Sequence, residues 1–241
     1  MRVLVTRPRE DAPGLVADLE ARGHAVMLEP LLTIRPRDPA VWPDGHENAQ
    51  ALLVTSANGA RAFARLDARR DLPVYAVGDA SAAAARALGF AEVHSAAGNV
   101  DDLAALVKRR LDPARGPLLH PAAGKLAGDL QGTLRAAGFT VLRAVLYDAV
   151  PVTALSKDCI RGLNGGLIDA ATFFSPRTAA GFVNLVEAAG LGDTCRRVVA
   201  VCLSPAVAEA LCDVSWRRTV VAERPDQAAL LAQLEAMDTE A

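Results

Sequence analysis

Residues 1–28, MRVLVTRPREDAPGLVADLEARGHAVML, set the grammar of the whole chain. Val3-Leu4-Val5 is a short apolar run, Thr6-Arg7-Pro8 is a polar turn, and Leu15, Val16 and Leu19 recur at helical spacing until Gly23 stops the helix. Ala25 to Leu28 returns to an apolar strand. Strand, loop, helix, strand is a βαβ unit. The same order recurs at Leu52-Leu53-Val54 with a turn and a helix to Leu66, and at Val74 to Val77 with a turn and an Ala-rich helix to Gly89. Short all-apolar strands alternating with helices predict an α/β fold of parallel sheets flanked by helices, because a strand covered on both faces loses its polar alternation.

The chain also repeats itself. Arg2-Val-Leu-Val, a helix and Gly23-His-Ala-Val resemble Pro117-Leu-Leu-His, a helix and Gly138-Phe-Thr-Val. LVTSANGARAF at 53–63 resembles FFSPRTAAGF at 173–182, and VYAVGDAS at 74–81 resembles VAVCLSPA at 199–206. Two α/β domains of similar plan follow. Residues 31–37 and 144–151 are extended in character and run into Pro36 and Pro151. Paired, they make a two-stranded β-ladder hinge that the chain crosses twice. Residues 1–33 plus 151–241 then form one discontinuous domain and 38–146 the other, and a double tether suits a cleft that closes over a ligand.

Composition removes several classes of function. The 241 residues carry 26 Lys and Arg against 28 Asp and Glu, a net charge of −2, so no basic excess points to nucleic acid or a membrane surface. The longest purely apolar stretch, Val198 to Leu203, is far short of the roughly 20 residues that span a bilayer. The amino terminus lacks the apolar core of a secretory signal, so the cytoplasm is the expected compartment. Cys159, Cys195, Cys202 and Cys212 form no CxxC pair and read as buried thiols. His24, His46, His94 and His120 are scattered, so no metal is expected; with no GxGxxG and no GxxxxGK[ST], no nucleotide cofactor is expected either.

In parallel sheets, ligands sit at the carboxyl ends of the strands. The loops there hold Thr6-Arg7-Pro8, Thr55 to Gly59, Gly78 to Ser81, Pro121 to Lys125, Ser175-Pro176-Arg177-Thr178 and Ser204-Pro205. On one reading Ser56, Asn58, Ser81, Ser175 and Ser204 cap helices. On the other, uncapped helix amides gathered into one cleft hold several carboxylates or phosphates. Six such loops favour the second reading. His120, at the end of a strand, reads as structural. Tyr147 lies on the tether beside Asp148; it can donate a proton to a leaving hydroxyl, or pack against a domain wall.

These stretches together resemble the uroporphyrinogen-III synthase family: VLVTRP at 3–8, TSANGARAF at 55–63, AVGDAS at 76–81, VLYDA at 145–149, FFSPRTAAGF at 173–182 and PDQAALLAQL at 225–234. Their order and spacing over the whole chain carry the resemblance more than any one motif. It implies two α/β domains joined by a β ladder, and a cofactor-free lyase of porphyrin and heme synthesis that converts hydroxymethylbilane, a linear tetrapyrrole with eight carboxylates, into uroporphyrinogen III. Loss of the terminal hydroxyl as water gives an azafulvene; attack at the substituted carbon of ring D forms a spiro intermediate that recloses with the ring inverted. An uncatalysed bilane cyclises without inversion, so the task is mostly orientation with modest acid assistance.

Position by position, the resemblance implies Tyr147 as general acid, and Thr55, Ser56, Asn58, Gly59, Ser81 and Ser175 as substrate contacts. The loops add Arg7, Gly78, Pro176, Arg177 and Ser204. Two departures stand out: 204–208 reads SPAVA where many relatives have a GPTTA-like run, and 120–124 reads HPAAG where an arginine-glycine pair is common, leaving Lys125 as the nearest base. Both weigh against side-chain contacts from these loops more than against contacts by their amides. The resemblance also sets the expectation of a monomer, in transient contact with hydroxymethylbilane synthase, with no nucleic-acid or membrane partner. The competing readings are a non-catalytic two-domain anionic-ligand-binding protein of periplasmic-receptor-like plan and a glycosyltransferase; the missing signal peptide counts against the first and the short chain against the second.

Overall fold

The computed structural model describes residues 1–37, 41–124 and 128–238. The chain divides into two compact units, Met1–Thr33 with Val150–Ala241, and Ile34–Ala149.

The first unit holds a five-stranded parallel sheet in the order β11-β10-β9-β1-β2, built from β1 (Arg2–Val5), β2 (Ala25–Leu28), β9 (Ala170–Phe173), β10 (Val199–Cys202) and β11 (Arg218–Val221). The strands are short and rich in Val and Ala because both faces are covered. Successive residues go to opposite sides. Val3, Val5, Val199 and Val201 join Leu15 and Leu19 of α1 (Pro13–Ala21) and Leu230, Leu231 and Leu234 of α9 (Gln227–Asp238). Leu4, Phe173, Ala200 and Cys202 instead join Cys159 and Leu163 of α6 (Lys157–Asn164), Phe182 and Val186 of α7 (Pro176–Ala188) and Val207 of α8 (Pro205–Glu209).

The second unit is built on a six-stranded sheet in the order β3-β8-β7-β4-β5-β6, from β3 (Leu32–Pro36), β4 (Ala51–Val54), β5 (Val74–Ala76), β6 (Val93–Ser95), β7 (Leu118–Ala123) and β8 (Val141–Pro151). Leu52 and Val54 face α2 (Ala57–Leu66) and α3 (Asp79–Ala87) through Phe63, Ala82 and Ala85. Ala51 and Leu53 face α4 (Val100–Arg110) and α5 (Leu130–Ala136) through Leu103, Val107 and Leu134. The repeat is visible in detail. Gly23 after α1 and Gly138 after α5 both adopt positive φ, +80° and +88°. In each case the next residue's N–H bonds back to a helix carbonyl, His24 to Leu19 and Phe139 to Leu134, a closure that needs the left-handed backbone glycine supplies.

Two expectations need correction. The second sheet is mixed, not parallel throughout: Val152 N–H bonds to Leu31 C=O and Arg37 N–H to Leu146 C=O, which runs β3 antiparallel to β8. Two passes of a chain in opposite directions pair this way without any crossover helix. The tether is also no separate ladder, since β8 pairs in parallel with β7 and makes the ladder the edge of the six-stranded sheet. Second, Pro121 to Ala123 are strand, not loop, so His120 lies mid-strand. β7 pairs with β4 only at Leu118 and Leu119. Leu118 N–H turns to Thr140 on the β8 side, so position 121, which has no N–H, turns to the side where pairing has ended.

Candidate functional site

In the first unit β1, β9 and β10 are parallel neighbours, so the residues after them emerge at one edge of the sheet. Thr6 is buried and donates its hydroxyl to Thr172 C=O at 2.7 Å. The Arg7 guanidinium lies 4.4 Å from the centre of the Phe174 ring and donates to Gln227 Oε1 at 3.2 Å, which fixes the cation against the β9 loop and α9. Ser175 caps α7, accepting from Thr178 N–H at 3.1 Å, with Thr178 Oγ1 2.8 Å from its own oxygen. Pro176 and Arg177 form the exposed first turn of that helix. Ser204 stands at the cap position of α8 without a side-chain bond to the helix.

In the second unit β5, β4 and β7 play the same part. Ser56 caps α2 by accepting from Asn58 N–H at 3.2 Å. Asn58 is buried in the first turn, and its Oδ1 accepts from Arg61 at 3.1 Å. Gly59 backs onto β7, where an added Cβ would sit 2.6 Å from Pro121 O. Gly78 is the extended cap residue of α3, and with no cap side chain the first amides of that helix stay open. Ser81 sits inside α3 at 8 % exposure. The bland reading thus holds for Ser56 and Ser175, while Asn58 and Ser81 lie within helices and Ser204 caps nothing. Lys125 falls outside the described residues.

Tyr147 is 5 % exposed and belongs to the apolar cluster of Phe63, Leu119 and Ala144. It stands where the β7–β8 register slips, with Ala122 opposite Val145 and Ala123 opposite Tyr147, and its carbonyl accepts from Gly124 N–H at 3.1 Å. The neighbouring Asp148 is engaged elsewhere. Arg37 grips its two oxygens at 2.9 and 3.0 Å, and that hydrogen-bonded guanidinium holds the carboxyl below the usual carboxylate range. An added Cβ at Gly124 would sit 2.5 Å from Asp148 Oδ1, so this turn is packed directly on the ion pair.

His120 is 1 % exposed, with Nε2 3.1 Å from Thr55 Oγ1. Burial, helped by the Arg143 cation, pushes it down to about 4. Arg143, its partner across the β7–β8 ladder, donates from one terminal nitrogen to Ala123 C=O at 2.7 Å and Gly124 C=O at 2.6 Å. Nothing in the sequence links Thr55, His120 and Arg143; the one pointer was a polar residue within an apolar strand. Cys159, Cys195 and Cys202 are buried, and burial pushes their thiols up to about 12, 11 and 12. Cys212 departs from the expectation and is exposed, because it lies in the turn after α8 instead of on a covered face. Among the described residues no group of three or more His, Cys, Asp and Glu is placed to hold a metal ion, and no helix is long and apolar enough to cross a membrane.

Two sheets of one plan, with hydroxyl-bearing residues following their parallel strands, define an α/β protein of two similar units. A family model described as uroporphyrinogen-III synthase HemD matches residues 14–232, and the chain belongs to that family. A mutant uroporphyrinogen III synthase from the extremely thermophilic bacterium Thermus thermophilus shares its fold at 20% identity and a TM-score of 0.55, with 100% of both chains covered. Uroporphyrinogen-III synthetase from Helicobacter pylori 26695 shares it at 16% identity and a TM-score of 0.62, covering 98% of this chain and 100% of that one. No curated protein matches the chain significantly.

Proposed function

We propose that this chain closes hydroxymethylbilane to uroporphyrinogen III, expelling water and inverting ring D through a spiro intermediate. The observation that carries the reading is the family match across residues 14–232. The donor set supports it: Arg7, Ser175 and Ser204 in one unit and Thr55, Ser56, Asn58, Gly59, Gly78 and Ser81 in the other follow or adjoin parallel strand ends. A substrate with eight carboxylates needs many modest donors and no dominant one. Such a site works by fixing the bilane in the geometry that leads to inversion, not by supplying a strong acid or base.

Tyr147 is the proposed general acid for departure of the hydroxyl. It stands within β8, opposite Ala123, the last residue of β7. Arg37 holds both oxygens of the adjacent Asp148, so that carboxylate is committed to the ion pair. Incubation with freshly prepared hydroxymethylbilane tests the activity: the type III isomer is expected to form faster than spontaneous closure, and type I product alone would overturn the proposal. Tyr147→Phe is expected to lower kcat ~10- to 100-fold; an unchanged rate assigns Tyr147 to packing. The protein is proposed to work as a cytoplasmic monomer that receives its bilane from hydroxymethylbilane synthase; light scattering of the pure protein tests the monomer.

A further inference from the structure

We propose that His120 is a positioning residue that fixes the Thr55 hydroxyl as a hydrogen-bond donor toward a carboxylate of the bilane. The inference rests on the function proposed above and on a question of polarity. At 3.1 Å, His120 Nε2 and Thr55 Oγ1 share one hydrogen, and either could supply it. A threonine that gives its hydrogen to the ring turns only lone pairs to its other side, and lone pairs repel an anion. A threonine that accepts from the ring keeps its O–H free to point at one.

The surroundings decide between the two. His120 Nδ1 and Arg143 Nε are buried side-chain atoms without a hydrogen-bond partner. If Thr55 were the donor, neutral His120 would carry its proton on Nδ1 and bury an unsatisfied N–H beside a second one on Arg143. An orphaned buried donor is among the most expensive polar groups in a protein interior. With the proton on Nε2, Nδ1 holds a lone pair, which the Arg143 cation on the paired strand favours. Arg143 cannot drift away, because a terminal nitrogen is bound to the carbonyls of Ala123 and Gly124. The burial that pushes His120 down to about 4 keeps the ring neutral at neutral pH, so the tautomer and not the protonation state sets the direction.

Thr55 itself stands at the carboxyl end of β4, half-buried, directly before Ser56 and the first turn of α2. Its hydroxyl is thus set on the strand-end edge with the hydrogen directed away from His120. The order of control runs from Arg143 to the His120 tautomer to the Thr55 hydrogen.

Two measurements test this. The nitrogen chemical shifts of the His120 imidazole at pH 7 are expected to report Nε2 protonated and Nδ1 bare; the opposite tautomer overturns the proposal whatever the protein turns over. In steady-state kinetics with hydroxymethylbilane, Thr55→Val and His120→Phe are each expected to raise KM roughly 10-fold with kcat little changed, the range for one hydrogen bond to a charged group. His120→Gln keeps an N–H at the same reach and is expected to recover most of the loss. The Thr55→Val, His120→Phe double variant is expected to be no worse than the poorer single one, since His120 acts only through the Thr55 hydroxyl. Additive losses, or an unchanged KM in folded His120→Phe, overturn the role. A wild-type chain that leaves the bilane untouched overturns the carboxylate assignment and the function it rests on, and the tautomer then still reports the polarity on its own.

Discussion

At Gly59 a methyl group would meet the Pro121 carbonyl oxygen at 2.6 Å, and neither partner is the loose end of a side chain. Gly59→Ala is expected to destabilise by ~1–3 kcal/mol as α2 is pushed off β7, read as a lower urea midpoint. His120 gives a pH signature of its own. Its folded value of about 4 lies below the unfolded 6.5, so between these pH values the unfolded chain binds the extra proton. Stability from this residue is complete above about pH 6.5 and is lost as pH falls toward 4, in all about 3 kcal/mol. Wild type should accordingly lose stability relative to His120→Gln as pH falls from about 6.5 toward 4, if the variant folds, and parallel pH profiles would show that the ring does not titrate in this range. The thiols divide just as sharply. Ellman's reagent is expected to modify Cys212 alone in the native protein, since the other three are buried and held as thiols at neutral pH; native labelling that persists in Cys212→Ser would show that a core opens.

Capping separates what holds a helix from what is free for a ligand. Ser175 accepts from Thr178 N–H, so Ser175→Ala is expected to cost ~1 kcal/mol of stability; Ser204 makes no such bond, so Ser204→Ala is expected to leave the melting temperature in place. Any rise in KM in the second variant then reports the substrate alone. The elements themselves were legible because a strand buried on both faces leaves an unbroken apolar run, as at Ala51 to Val54, and because Gly23 and Gly138 stop equivalent helices. The end of β7 was not legible: Pro121 signals a break, and only the early end of β4 pairing lets a proline continue the strand. At the candidate site, residue types could be read but their roles could not. Ser56 and Ser81 look alike in sequence, yet one caps α2 and the other is enclosed within α3, and such differences of one or two positions along a helix depend on where the first turn is set.

At the scale of the whole chain, each unit carries its own cores, and the cysteines all belong to the first unit. The two tryptophans report on different cores: Trp42 stacks on His46 and meets Phe63 edge-on, while Trp216 packs on Phe173 and Phe182. In urea, Gly59→Ala is expected to shift the Trp42 transition, followed in a Trp216→Phe background, and to leave the midpoint for exposure of Cys159, Cys195 and Cys202 where it was. Equal shifts of both signals would mean that the chain unfolds as one cooperative body. The repeat made two sheets of one plan readable in advance; the antiparallel edge was hidden, because strand direction depends on how the chain returns and not on local composition.

The position of β1 between β2 and β9 has a bearing on how the protein is made. Thr6 donates to a carbonyl 166 residues further along. At roughly 5–20 residues per second, a ribosome needs on the order of 10–30 seconds to deliver that partner. Throughout that interval Val3, Leu4 and Val5 belong to a nascent segment that lacks a neighbour on one side, while residues 32–151 supply every strand of the six-stranded sheet. The middle of the polypeptide can therefore fold first, and the two ends must find each other afterwards, so completion of the five-stranded sheet waits on the last third of the chain.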